Sequence, residues 1–204
     1  MSLNHHIPIL CLTSVGFSLF LRLNPSSAQS KQTPQNSQSG ILYGSNFAYT
    51  ISAPKGWIMD ELAGKSQGLS VVFYRNGETW KTGKSAVYVN VNGRVNGYTA
   101  KQAIADDLRG SRKEYPKSKI TRGETLKTND GREAPTFIFE NITEKTVHSE
   151  RVAYVETPTV ILLITLTSKS TNDYKNALAD HTKLVKSISY VSQKPTGQRV
   201  KKRQ

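Results

Sequence analysis

Thiols are all but missing from this chain. Its single cysteine, Cys11, lies in a segment expected to be removed. A protein without it has no disulfide, no thiolate metal ligand and no cysteine nucleophile. Histidine is scarce too: beyond His5 and His6 there are only His148 and His181. Two isolated imidazoles, with no thiols and no grouped carboxylates, do not make a transition-metal site, so no metal or cofactor is expected. Acids are absent from both ends, for all 15 Asp and Glu lie between Asn46 and Tyr190. After residue 23 no apolar run is long enough to span a bilayer; Val160 to Leu166 is only strand-length.

What is present begins with an apolar leader, Ile7 to Leu23, followed by Pro25-Ser26-Ser27-Ala28. Small residues at the end of a short apolar run mark an export signal, and the cut is expected after Ala28. The run departs from the usual pattern in having no Lys or Arg before it and Arg22 near its end. The rival reading is a retained anchor. The uncharged stretch before Arg22 falls short of the roughly 20 residues a spanning helix needs. Residues 1–28 are therefore read as a signal peptide and the protein as exported, periplasmic or extracellular.

Residues 29–45 begin QSKQTPQNSQSG, have little to bury, and are expected to be a flexible linker. Residues 191–204 are polar and basic and are expected to be a disordered tail. The 46–190 span remains as one domain, about 145 residues, enough to close a core without staples. It carries 21 Lys and Arg against the 15 acids, while seven further cations lie outside it unopposed. A basic balance favours anionic partners in general. Nucleic acid is not expected among them, because export removes the protein from it.

Within the domain, Phe47 to Ser52 alternates apolar and polar, the period of a half-buried strand. Leu69 to Tyr74 and the Val87-Val89-Val91 alternation make two more strands, closed by Asn-Gly turns at residues 76, 92 and 96. Thr99 is placed to cap a helix with the stripe Ala100, Ala103, Ile104 and Leu108, bounded by Gly110 and Pro116. Four strands follow, near 119–126, 135–141, 146–156 and 159–167. Their short connections force antiparallel neighbours. The last, TVILLITLT, is apolar at consecutive positions, so it is expected mid-sheet with both faces covered. A second helix, 171–187, carries Tyr174, Ala177, Leu178, His181, Leu184 and Val185 at spacings of three and four. The fold class is α+β: an antiparallel β-sheet with helices packed on its faces.

This layout resembles the PsbP-like fold family. The resemblance is carried by the opening FAYTISAPKGW, where Phe47, Pro54, Gly56 and Trp57 match a recurring pattern, and by a C-terminal helix ending LVKSISY. It covers Ser45 to Tyr190. It implies an antiparallel sandwich whose members include a photosystem accessory subunit, small-GTPase binders and secreted bacterial proteins. They act mostly as binding or assembly modules without a common catalytic site. Fold alone does not assign function. The expectation is a non-catalytic extracytoplasmic binding or accessory protein, recognising a protein partner or an anionic envelope component. The alternative is an exported hydrolase acting on a small-molecule or glycan substrate.

Candidate residues are weighed on their chemistry. Gly64-Lys65-Ser66-Gln67-Gly68 spells G-x-S-x-G, but a nucleophile elbow needs a strand before the serine and a helix after it. Two Gly-Lys-Ser triplets, at Gly64 and Gly83, lack the earlier glycine of a phosphate loop, since Met59 and Glu78 stand there. His181 reads as a packed core residue and His148 as part of a strand's surface. Asp106 and Asp107 are adjacent on a helix and point about 100° apart, so they do not form a dyad. Asn141-Ile142-Thr143 matches a glycosylation sequon, which matters only in a eukaryotic secretory route. The loop from Arg75 to Lys84 is the most suggestive segment. Trp80 among Arg75, Lys81 and Lys84 could stack on a sugar or base while the cations meet anionic groups. The plainer reading is that Trp80 folds back on the sheet. The tail cations Arg199, Lys201, Lys202 and Arg203 are candidates for an anionic surface. Trp57, after its turn, is expected in the core.

Overall fold

The computed structural model describes residues 39–141 and 149–191. Strands β1 (Ser39–Tyr43), β2 (Ala48–Ser52), β3 (Trp57–Asp60), β4 (Val71–Arg75) and β5 (Ser85–Gly93) lead into helix α1 (Ala100–Glu114). Then come β6 (Lys119–Lys127), β7 (Glu133–Glu140), β8 (Ser149–Glu156), β9 (Val160–Ser168), helix α2 (Thr171–Lys186) and β10 (Ser189–Tyr190). Among the described residues they form a three-stranded sheet, β1-β2-β10, and a seven-stranded one, β3-β4-β5-β9-β8-β7-β6. Every pairing is antiparallel.

β9 is the middle strand of the larger sheet and every one of its residues is buried. Alternation sends Leu162, Ile164 and Leu166 to one face and Ile161 and Leu163 to the other. The first set packs with Tyr174, Ala177, Leu184 and Val185 of α2, and with Leu42, Tyr49 and Ile51 of the smaller sheet. The second packs with Ala100 and Ala103 of α1, with Ile104, Leu108 and Ile120 around them. Full burial of each Leu or Ile contributes about 1.5–3 kcal/mol, so this strand supplies much of the cohesion between layers.

Local chemistry sets the element ends. Thr99 caps α1 by accepting from Gln102 N, and its own N–H donates to Gln102 Oε1 at 2.9 Å, completing a capping box. Ser170 caps α2 by accepting from Asp173 N at 3.1 Å. The Pro54–Trp57 turn closes with Trp57 N donating to Pro54 O at 3.0 Å, and Gly56 takes φ 81° there. Only glycine adopts that angle without strain.

Two expectations are corrected, at Ser39–Tyr43 and at Gly110, and one strand, β3, was not expected. Ser39–Tyr43, expected within the flexible linker, is a strand registered on β2 from Ser39↔Ser52 to Tyr43↔Ala48. It forms because Leu42 reaches the core on one face of the strand. Trp57 opens β3, which has no period-2 pattern because three of its four residues are buried. Gly110 does not bound α1, which runs on to Glu114. The packed stripe outweighs the roughly 1 kcal/mol that a mid-helix glycine costs.

A polar latch ties the first turn to the last helix. Trp57 Nε1 donates to Asp180 Oδ2 at 3.0 Å, and Arg75 Nη2 meets the same oxygen at 2.9 Å. The Arg75 guanidinium also lies 4.7 Å from the Trp57 ring centroid. Replacing Asp180 leaves a buried indole N–H without its acceptor. Asp180→Ala is expected to lower stability by about 1–3 kcal/mol. Urea unfolding checks this as a reduced midpoint at unchanged m-value; an unchanged midpoint would show the latch to be energetically idle.

Candidate functional site

The motif residues occupy structural positions. Ser66 lies exposed in a single 3-10 turn, Lys65–Gln67, ahead of strand β4. No helix follows it, so the elbow geometry is not formed. Ser85, of the second Gly-Lys-Ser, is inside β5 and shares a 2.8 Å hydrogen bond with Ser168. Asp106 accepts from Tyr98 OH at 2.7 Å and pairs with Arg109 at 2.7 Å. Asp107 accepts from Tyr154 OH at 2.8 Å. The two carboxylates thus serve different tyrosines. Burial, then the neighbouring carboxylate, pushes both phenols up from their ordinary value.

His181 is fully buried under α2, with Nε2 donating to Ile164 O at 3.1 Å. Nδ1 has no hydrogen-bond partner among the described residues. Burial, followed by the nearby Arg151 cation, pushes the imidazole down to about 3. It stays neutral and is sealed from solvent, so no substrate reaches it in this fold. His148 and the hydroxyl of the Asn141 sequon lie outside the described residues.

The loop expected to gather Arg75, Trp80, Lys81 and Lys84 does not bring them to one surface. Arg75 shares strand parity with Val71 and Phe73 and reaches Trp57 and Asp180 on the α2 side. Trp80 is half-buried and meets Tyr88 edge-on, with ring centroids 5.9 Å apart. Tyr88 alternates with the core residues Val87 and Val89, so its ring points to the opposite face. Lys81 and Lys84 are exposed. The loop is drawn tight by Thr79 and Thr82, whose hydroxyls are 2.8 Å apart, and by Lys84 N donating to Glu78 Oε2 at 3.2 Å. Trp80 therefore acts as a lid over Tyr88. The tail cations Arg199, Lys201, Lys202 and Arg203 lie outside the described residues.

The structure supplies a feature that the sequence reading passed over. An open cleft of about 510 Å³ runs along the outer face of the small sheet. Its lining includes Ser39 and Ile41 of β1, Thr50 and Ser52 of β2, Asn129, Ser187 and Ser189. Its walls are pinned: Ser187 Oγ accepts from Ser52 N at 2.9 Å, and Asn129 Nδ2 donates to Ser189 Oγ at 2.9 Å. Beside it, Asp130 accepts from Arg132 Nε at 2.8 Å and from Tyr190 N at 3.1 Å. Burial pushes the Asp130 carboxyl up, but hydrogen bonds from Thr128, Tyr190 and Arg132 outweigh that and hold it below its ordinary value. Strand β1 borders the cleft as an edge strand, with no strand among the described residues paired to its outer side. Ile41 and Tyr43 project from it 60% and 78% exposed. The signal was the apolar triplet Ile41-Leu42-Tyr43 in otherwise polar surroundings.

No protein-family model matches the chain, and no curated protein matches it in sequence. Solved structures do match in shape. The solution structure of cyanobacterial PsbP (CyanoP) from Synechocystis aligns at TM-score 0.51 and 13% identity, covering 78% of this chain and 96% of that one. The Ran-binding protein Mog1p of Saccharomyces cerevisiae aligns at 0.43 and 13%, covering 72% and 84%. LpqN of Mycobacterium tuberculosis, described as involved in cell envelope biogenesis, aligns at 0.46 and 10%, covering 78% and 93%. The domain is an α+β antiparallel sandwich, and its fold is PsbP-like, as the opening motif and the closing helix indicated.

The buried imidazole makes stability depend on pH. The folded-state value lies below the unfolded one, near 6.5, so its contribution is complete above that pH and is lost as pH falls toward about 3. Its share of the slope is at most about 1.4 kcal/mol per pH unit. Thermal melts from neutral to acid pH should show a decline that is shallower in His181→Gln. Parallel curves for the two proteins would remove His181 as the cause.

Proposed function

We propose that this is a non-catalytic accessory protein that works outside the cytoplasm and docks a protein partner through the edge of β1. The observation that carries the reading is the open edge itself. Among the described residues no strand pairs with its outer side, and Ile41 and Tyr43 are exposed along it, above a neutral, hydroxyl-lined cleft. Exposed apolar edge strands are otherwise blunted by charge, proline or covering loops. β1 carries no charged residue and no proline. An extended segment of a partner can add as a further strand there, with backbone hydrogen bonds giving affinity and alternate side chains giving choice.

The extracytoplasmic part of the proposal rests on the leader, Ile7 to Leu23, and its small-residue ending at Ala28. No helix among the described residues is long and apolar enough to cross a membrane. N-terminal sequencing of the exported protein should begin at Gln29; a start at Met1 would support a retained anchor.

The docking edge is tested with a photo-crosslinking residue placed at Tyr43, and a second at Lys175 on α2 as the control position. The expected result is one adduct, mapped by mass spectrometry to an extended segment of its partner, formed from position 43 and not from 175. In the Ile41→Asp background the adduct should fall at least about tenfold, since a charge is then buried against an apolar contact. Equal adducts from both positions, or none from 43, would refute the edge as the docking site.

A further inference from the structure

The cations of the folded part are not spread evenly. Arg109, Arg112, Lys113, Lys117, Lys119 and Arg122 fall within one stretch that has a single acid, Glu114. Glu114 is already engaged, accepting from Tyr115 OH at 2.7 Å. Arg109 pairs with Asp106 and Lys119 with Glu140 at 3.2 Å. Arg112, Lys113, Lys117 and Arg122 are exposed and have no ion-pair partner among the described residues.

These four follow one another on α1, the turn after it and the start of β6. Arg109, Arg112 and Lys113 stand at helical spacings of three and four, on the side of α1 away from the buried residues Ala100, Ala103 and Ser111. Lys117 sits in the turn that follows, closed by Ser118 N donating to Tyr115 O at 2.9 Å. Arg122 shares strand parity with Ile120, which packs with the α1 core, so it projects on the same face of the sheet. The helix macrodipole accounts for Arg112 and Lys113 in the last turn. It does not account for Lys117 or Arg122, which lie beyond the helix.

We propose that this face, the outer side of α1 with the turn and edge strand that follow, docks the protein on an anionic phospholipid surface. Three observations select that occupant. The cations are long, exposed and unpaired, and suit a diffuse negative layer that demands no fixed geometry. No large apolar side chain is exposed between Arg109 and Arg122, whereas a protein interface needs an apolar centre inside its polar rim. Strand addition is discouraged as well. The β6 register breaks between Arg122 and Thr125, and Lys119 and Lys127 charge the edge. The face lies on the α1 side of the large sheet, whereas β1 packs with the α2 side. One protein can thus hold a membrane with one side and a partner with the other.

The test uses the protein as purified after export, tail included, and co-sedimentation with phosphatidylcholine vesicles, with or without phosphatidylglycerol. Wild-type protein should bind only the phosphatidylglycerol vesicles and be released as salt rises. Each cation is worth about fivefold in partition near such a surface. The variant Arg112→Gln, Lys113→Gln, Lys117→Gln, Arg122→Gln should therefore bind at least about tenfold more weakly than a charge-matched control. That control is Lys55→Gln, Lys65→Gln, Lys81→Gln, Lys175→Gln, and both should keep the wild-type melting temperature. Ile41→Asp should keep full vesicle binding, which separates this proposal from the docking edge. Equal binding by the two quadruple variants would reduce the effect to net charge and overturn the proposal. Wild-type capture by polyglutamate as tight as by phosphatidylglycerol would overturn it in favour of an acidic polypeptide.

Discussion

Strand β9 has no residue that can face water, and that constraint organises the domain. A strand apolar on both sides must be covered on both sides. α2 and the small sheet cover one face, and α1 covers the other. The strand's place at the centre of seven follows from the same need, since an edge position would leave its apolar flanks open. The latch of Trp57, Arg75 and Asp180 then fixes α2 against the first turn of the sheet. This gives a physical meaning to the opening motif: Gly56 makes the turn, and Trp57 is delivered to the helix that arrives more than a hundred residues later.

The polar groups that first suggest chemistry are mostly consumed by architecture. Asp60 accepts from Tyr74 OH at 2.8 Å, Asp106 and Asp107 hold tyrosines, Asp130 holds the final strand, and His181 holds a backbone carbonyl. What the described surface offers instead is an uncharged edge beside a cleft on one side and unpaired cations on the other. We propose both as means of attachment. Two attachments on opposite sides of one sandwich suit a protein that brings a partner to a surface.

Much of the fold was legible in the sequence. Thr99, the stripe from Ala100 to Leu108 and the run from Val160 to Leu166 state their structures locally. Capping and periodicity depend on residues within a few positions of each other. The PsbP-like resemblance rested on the opening FAYTISAPKGW and the closing LVKSISY, and the fold is PsbP-like. The candidate site was far less legible. Trp80 with Arg75, Lys81 and Lys84 looked like a cluster along the chain, but strand alternation and the turn send Arg75 and Trp80 to opposite faces.

Sequence alone determined both helices, the strands with clear alternation or long apolar runs, and most of their turns, because those depend on local spacing and on the cost of exposing apolar surface. Tertiary structure alone decided that Ser39–Tyr43 pairs as an edge strand, that Arg75 belongs to Asp180 rather than to its own loop, and that Arg122 projects on the α1 side of the large sheet. The physical reason is the same in each case. Register and packing join residues far apart in the chain, and a side chain's partner is chosen by the face it lands on rather than by its neighbours in sequence.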